Sequence, residues 1–232
     1  MRGETHSDVT TRWLAACGVV VPVLDMVITA WLAALDPGYS HARQYISELG
    51  EDGRPYAAAF NAWCLAYGLL LAGFAVALGR GLGSGSVFIA LLAVAAASIA
   101  GGVFPCDPGC AGRSPSARVH FLTGYVGLAA ILLTPFLPWF AMRSNPAWRN
   151  YRAFTLACEG LLVAATGWLG SCHYLGRTQA GCPAGVAQRL VLGVQYAWMV
   201  VVAVRLWRLE GLRSAGLATS ADPLVSEGPT LG

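Results

Sequence analysis

At 232 residues, 56% of them apolar and 12% charged, the chain falls far below the roughly 25% charge of a soluble domain. Its formal charge of +3 is carried by 15 arginines and no lysine. They are scattered at the ends of apolar runs, as snorkelling anchors are, with no basic patch for nucleic acid. The composition excludes a soluble globular domain and leaves room for one helical bundle without a second domain.

Apolar stretches at residues 13–35, 57–79, 86–105, 119–142, 151–171 and 185–207 each hold about 20 residues or more. At about 1.5 Å per residue, each crosses a ~30 Å hydrocarbon core. Backbone polar groups must be satisfied inside lipid, and these runs are too long and too evenly apolar for barrel strands. The fold class is therefore all-α: a polytopic integral membrane protein with a single six-helix transmembrane bundle at 13–207. Segment 13–35 is too long for a signal-peptide core, holds Pro22 and Asp25, and is expected as a retained first helix.

Residues 1–12 form a short polar segment. Loop one, residues 36–56, is the richest, with turn signals at Asp36-Pro37-Gly38 and Asp52-Gly53 and a short interfacial helix expected over 40–49, capped by Ser40. Loop two (80–85) is a glycine-serine hairpin. Loop three (106–118) runs from Cys106-Asp107-Pro108-Gly109-Cys110 to Arg118. Loop four holds Asn145-Pro146 and three arginines, and loop five (172–184) holds His173, Arg177 and two cysteines. Residues 208–232 are expected as a disordered cytoplasmic tail. Tryptophans 13, 31, 139, 148, 168, 198 and 207 are placed as interface belts.

With an even number of spans the termini share a side. That side carries Arg2, Arg12, Arg80, Arg143, Arg149, Arg152, Arg205, Arg208 and Arg213; the other carries Arg43, Arg54, Arg113, Arg118, Arg177 and Arg189. The positive-inside rule puts both termini in the cytoplasm of a bacterial cell membrane. Cys106, Cys110, Cys172 and Cys182 all fall on the opposite side, which suits two disulfides in an oxidising compartment. Three connectivities are open. A metal site is the alternative, since Cys106 and Cys110 are spaced C-x3-C and His173 follows Cys172. The cofactor stays unknown: the sequence allows a metal and does not require one. Cys17, Cys64 and Cys158 lie within helices as core residues.

Pro37-Gly38-Tyr39-Ser40, then Tyr45-Ile46-Ser47-Glu48-Leu49-Gly50 and Asn61, resembles the bacterial and archaeal membrane family catalogued as domain of unknown function 998. So does Gly102-Val103-Phe104-Pro105-Cys106-Asp107 followed by His120, and Gly185-Val186-Ala187-Gln188-Arg189 opening the last helix. The matches cover roughly residues 15–207. The resemblance implies the six-helix architecture and brings no established chemistry. More remotely, the loop-one motif is similar to Frag/DRAM/Sfk-type six-helix proteins, some linked to lipid remodelling. Gln188 stands where the family usually has an acid, and the four loop cysteines look like an elaboration of this branch.

Carboxylates and imidazoles at one membrane face can do acid–base work or hold a metal, and an arginine beside them can bind a phosphate headgroup. The catalytic candidates are Glu48, Asp107, His120 and His173, and the substrate-binding candidates Tyr39, Ser47, Asn61, Arg118 and Arg189. Glu48, Asp107 and His120 are expected to meet in one pocket beneath loop one. The bland alternative makes Ser47 and Glu48 helix caps, Asp107 a turn residue and His120 an interface anchor. Within the membrane, Asp25 and Glu159 are expected neutral and hydrogen-bonded, with Gln195 as one partner; intramembrane ionisable groups are functional candidates by default. Three functions stand side by side. The first is a membrane-embedded enzyme acting on a lipid or isoprenoid-like substrate. The second is a non-catalytic lipid- or partner-binding protein, and the third a small-solute or proton transporter. Membrane lipids and a hydrophobic small molecule are the expected partners, and nucleic acid is not.

Overall fold

The computed structural model describes residues 6–110, 112–175 and 182–214. Six helices carry the chain: α1 (His6–Ala34), α2 (Ala57–Leu82), α3 (Gly85–Val103), α4 (Pro115–Arg143), α5 (Arg152–Leu175) and α6 (Ala184–Ser214). All six are long and apolar enough to span a membrane, so the protein is a multi-pass membrane protein. No strand occurs among the described residues. Helix ends follow local chemistry. The Ser84 and Ser114 hydroxyls accept from Val87 N and Ala117 N at the starts of α3 and α4, and Pro115 fills a first-turn position where no N–H is needed. Gly83 ends α2 with φ +62°, which glycine adopts without a Cβ penalty.

Each helix packs on its chain neighbours and α1 closes against α6, so the six form a ring. The seam between α2 and α3 is the closest and that between α4 and α5 the thinnest. The tight seam comes from small residues. A Cβ on Gly68 would stand 2.6 Å from Ala95 O, and one on Gly102 would stand 2.6 Å from Asn61 O. The small residues 95–102 of α3 thus serve close helix packing. Large apolar side chains such as Leu69, Ile89 and Leu122 stay exposed on the outer surface of the ring, where lipid tails replace a protein partner.

Four details differ from expectation. No helix spans 40–49. The Gln44 amide oxygen accepts the Ser40 N–H at 2.7 Å, and a 3₁₀ helix starts only at Ile46 and runs to Gly50. Carbonyls of 41–44 turn instead to α6, as described below. Trp148 and Trp198 are fully buried core residues, unlike interface anchors; each fills the space where helices converge. Gln195 pairs with neither acid: Thr134 Oγ1 lies 2.7 Å from Ile131 O and 2.8 Å from the Gln195 amide. Pro135 has no N–H for that carbonyl, and the Thr134 hydroxyl takes the place. Finally α6 continues helical to Ser214, past the expected boundary at 207; residues 215–232 lie outside the described residues.

Two disulfides close loops three and five, Cys106–Cys110 and Cys172–Cys182, while Cys17, Cys64 and Cys158 are free. This selects one of the three connectivities. Thiol labelling of denatured, non-reduced protein should therefore count three free cysteines, and seven after reduction.

Candidate functional site

The ring does not fill its own centre. A cavity of about 370 Å³ lies between the helices, within the range of small-molecule sites. Its walls are mostly apolar and aromatic: Phe60, Trp63, Tyr67, Phe121, Leu128 and Ile131 among them. Polar groups occur at two levels. At one end stand Tyr45, Ser47, His120 and His173; deep in the bundle stand Asp25 and Tyr196.

The deep end is a neutral-donor cradle for one carboxylate. Trp63 Nε1 donates to Asp25 Oδ1 at 2.8 Å and the Tyr196 hydroxyl to Oδ2 at 2.7 Å. Both Asp25 oxygens thus have a donor, as burial in lipid demands. At the other end His173 spans the mouth. Its Nδ1 lies 3.4 Å from the Tyr45 hydroxyl and its Nε2 3.2 Å from that of Tyr125. His120 Nδ1 lies 2.9 Å from Phe104 O, and the ring stands beside the Cys106–Cys110 disulfide. Donor atoms of those three residues all fall within 4.8 Å of one another.

Loops one and three meet over that end, and ionised groups hold loop one to α6 and to loop three. Arg189 is the main tie. Its Nη1 donates to His41 O, Gln44 O and Gly185 O at 2.7, 3.2 and 3.1 Å, and its Nη2 to the Tyr39 hydroxyl at 2.6 Å. Val186 N donates to Ala42 O and Ile46 N to the Gln188 side-chain oxygen. Gly185 carries no side chain because a Cβ there would strike Gln44 O and His41 O. A second tie joins loops one and three. Arg54 bridges Asp36 at 2.9 Å and Glu51 at 2.7 Å. Glu51 also accepts from Gly109 N at 2.7 Å, and Asp52 N donates to Cys106 O.

The expected single pocket of Glu48, Asp107 and His120 is divided. Glu48 is buried, accepts from Tyr45 N and the Gln44 amide, both at 3.0 Å, and so closes the 3₁₀ helix as a capping residue. Asp107 accepts from Arg113 N and Ser114 N at 2.7 and 2.8 Å. Hydrogen bonds from Ser114, then from Arg113, hold its carboxyl below the usual carboxylate range. That stabilising contribution is present at neutral pH and fades as pH falls through the lowered value. Of the three, the cavity wall takes His120 alone.

Arg189 is no free headgroup clamp, because its guanidinium is engaged by loop-one carbonyls. Tyr39 accepts from Arg189 and donates to Tyr45 O at 3.0 Å; burial raises its hydroxyl above the usual tyrosine range. Asn61 Nδ2 holds Gly50 O at 3.1 Å, and Arg118 is exposed on α4. Glu159 lies half-buried on α5 with Oε2 unpartnered among the described residues. Cys172 is fully buried. Residues that sequence reasoning passed over are Tyr45, Trp63, Tyr67, Tyr125 and Tyr196. Trp63 alone carried a signal, as the one tryptophan of eight left out of the interface belts.

Arg189→Lys keeps the charge but cannot reach carbonyls and the Tyr39 hydroxyl together. It should cost about 1–3 kcal/mol and lower the thermal midpoint in detergent, whereas Arg118→Ala should stay within about 0.5 kcal/mol.

Comparison with known proteins agrees with this architecture. No curated protein and no solved structure matches the chain. A family model described as Protein of unknown function (DUF998) matches residues 19–205, from the first half of α1 almost to the end of the last span, and the chain belongs to that family.

Proposed function

We propose that the protein binds an amphipathic, lipid-soluble small molecule inside the ring. The observation that carries this is the cavity itself: apolar and aromatic walls at bilayer depth, bracketed by histidines and tyrosines at one end and the Asp25 cradle at the other. Apolar walls with a few convergent polar groups are what such sites are made of. A non-catalytic or ligand-carrying role fits better than hydrolysis. Glu48, Asp107 and Arg189, the groups an acid–base hydrolase would need, are held in loop contacts, which leaves His120 and His173 beside the ligand. A lipid or isoprenoid-like molecule of ring-and-tail shape suits the two polar levels. The thin seam between α4 and α5, near exposed Tyr125 and His173, offers the way in from lipid.

Two glycines on the wall provide the test. A Cβ added at Gly124 or Gly170 meets nothing within 4 Å, so leucine at either position adds bulk to the cavity wall from an open start and improves helix propensity. Protein purified in mild detergent should carry a lipid-soluble molecule detectable by native mass spectrometry. Gly124→Leu and Gly170→Leu should keep the thermal midpoint and lose that molecule. Equal loading of wild type and both variants would end the proposal.

The same reading places the odd-numbered loops on the extracytoplasmic side, supported by the arginine bias and by the two disulfides. A carboxy-terminal reporter active only outside the cytoplasm should stay silent, and an amino-terminal one likewise.

A further inference from the structure

The Cys106–Cys110 pair has features that a loop staple does not need. Cys110 lies on the cavity wall together with His120, and the two sulfurs and the imidazole lie within 4.8 Å of one another. Cys106 behind it is fully buried. Cys110 is also the non-glycine residue with positive φ among the described residues, at 48°, beside Gly109 at 66°. A left-handed conformation costs a side-chain-bearing residue about 1 kcal/mol or more. It is maintained by a turn in which Cys110 N donates to Asp107 O at 2.7 Å and by the Gly109–Glu51 bond. Loop three is thus built to hold one sulfur against the cavity. The other disulfide differs: neither Cys172 nor Cys182 lines the cavity.

We infer that Cys106, Cys110 and His120 form a two-electron thiol–disulfide centre that exchanges electrons with a lipid quinone seated in the cavity. This rests on the cavity-binding reading and names its ligand class. A quinone ring is flat, apolar and oxygen-bearing at both ends, as the aromatic walls and two polar levels require. In the oxidising direction the chemistry balances as follows. With the pair reduced, His120 takes the Cys110 proton, and the thiolate sulfur bonds to a ring carbon. The Cys106 sulfur then attacks Cys110, the S–S bond forms and the S–C bond breaks. The electron pair passes into the ring, and the two thiol protons, one carried by His120, end on its two oxygens. One dithiol and one quinone give one disulfide and one hydroquinone. The disulfide present in the structure is the oxidised end of this couple, and a dithiol reductant returns it to the start.

The test uses the full chain in detergent, reduced with dithiothreitol and desalted without oxygen. A short-chain ubiquinone or menaquinone is then added; both have fully substituted rings that resist permanent thiol adducts. Binding to the oxidised protein is measured separately by tryptophan quenching. The expected result is about one hydroquinone per chain, with peptide mapping showing Cys106–Cys110 re-formed ahead of Cys172–Cys182. Cys110→Ser should bind quinone and reduce none, and His120→Gln should slow the reaction on the order of 10²-fold, the usual scale of a lost proton acceptor. Binding without hydroquinone formation overturns the redox centre and leaves the cavity reading intact; absence of binding overturns this inference at its base. Should Cys110→Ser fail to fold, the mapping on wild type decides alone: a pair other than Cys106–Cys110 re-forming first overturns the inference.

Discussion

No water reaches the hydrocarbon core to satisfy a polar group, and most features of this protein follow from that constraint. It forces the six spans to be helices. It makes the carbonyl stranded by Pro135 find the Thr134 hydroxyl within its own turn. It gives Asp25 a donor for each oxygen, from α2 and α6. Because that carboxylate can be satisfied only where those two helices face α1, the Asp25 cradle also sets how the three helices turn towards each other. Interhelical hydrogen bonds in membranes average only about 0.6 kcal/mol. Their value here lies in excluding other rotations, since a turned α1 would present the carboxylate to lipid.

The same constraint explains the division of labour between charged and neutral polar groups. Asp36, Glu51, Arg54 and Arg189 sit at the loop end and join loops to each other and to α6. Polar groups that line the cavity are tyrosines, histidines, two serines, a threonine, Gln188 and one doubly held carboxylate. A site walled by unpaired charges would be unstable at this depth and would repel an apolar ligand. A frame of ion pairs above a neutral, aromatic chamber avoids both problems, and it keeps the mouth in place while the seam below it remains thin.

Architecture was legible in the sequence because each span is a long apolar run, a signal carried by every residue in it. The loop end was legible in part. Glu48 was weighed both as a cap and as a site candidate, and its bonds to Tyr45 N and Gln44 are those of a cap. What could not be read was direction. Nothing local says whether Asp107 turns back on Ser114 or forward into the bundle, because that depends on where the Cys106–Cys110 bridge and Gly109 send the chain. The tyrosines were hidden for another reason. Tyr67, Tyr125 and Tyr196 look like ordinary aromatic residues of a span until six helices are closed into a ring. Trp148 and Trp198 were misplaced because the belt rule describes helix ends in lipid, whereas these rings face the interior.

Gln188 is a residue whose hydrogen bonding and whose lack of charge act separately. Its side-chain oxygen accepts the Ile46 N–H at 2.6 Å, a bond that a carboxylate in its place would make equally well. The amide therefore preserves the docking of loop one on α6. A carboxylate there, however, would stand next in sequence to Arg189 and on the cavity wall, adding a charge to a chamber that otherwise holds only the enclosed Asp25. The amide keeps that charge off the wall to which Cys110 also belongs. Amide and disulfide share one surface, where a carboxylate beside the sulfurs would oppose an apolar ligand.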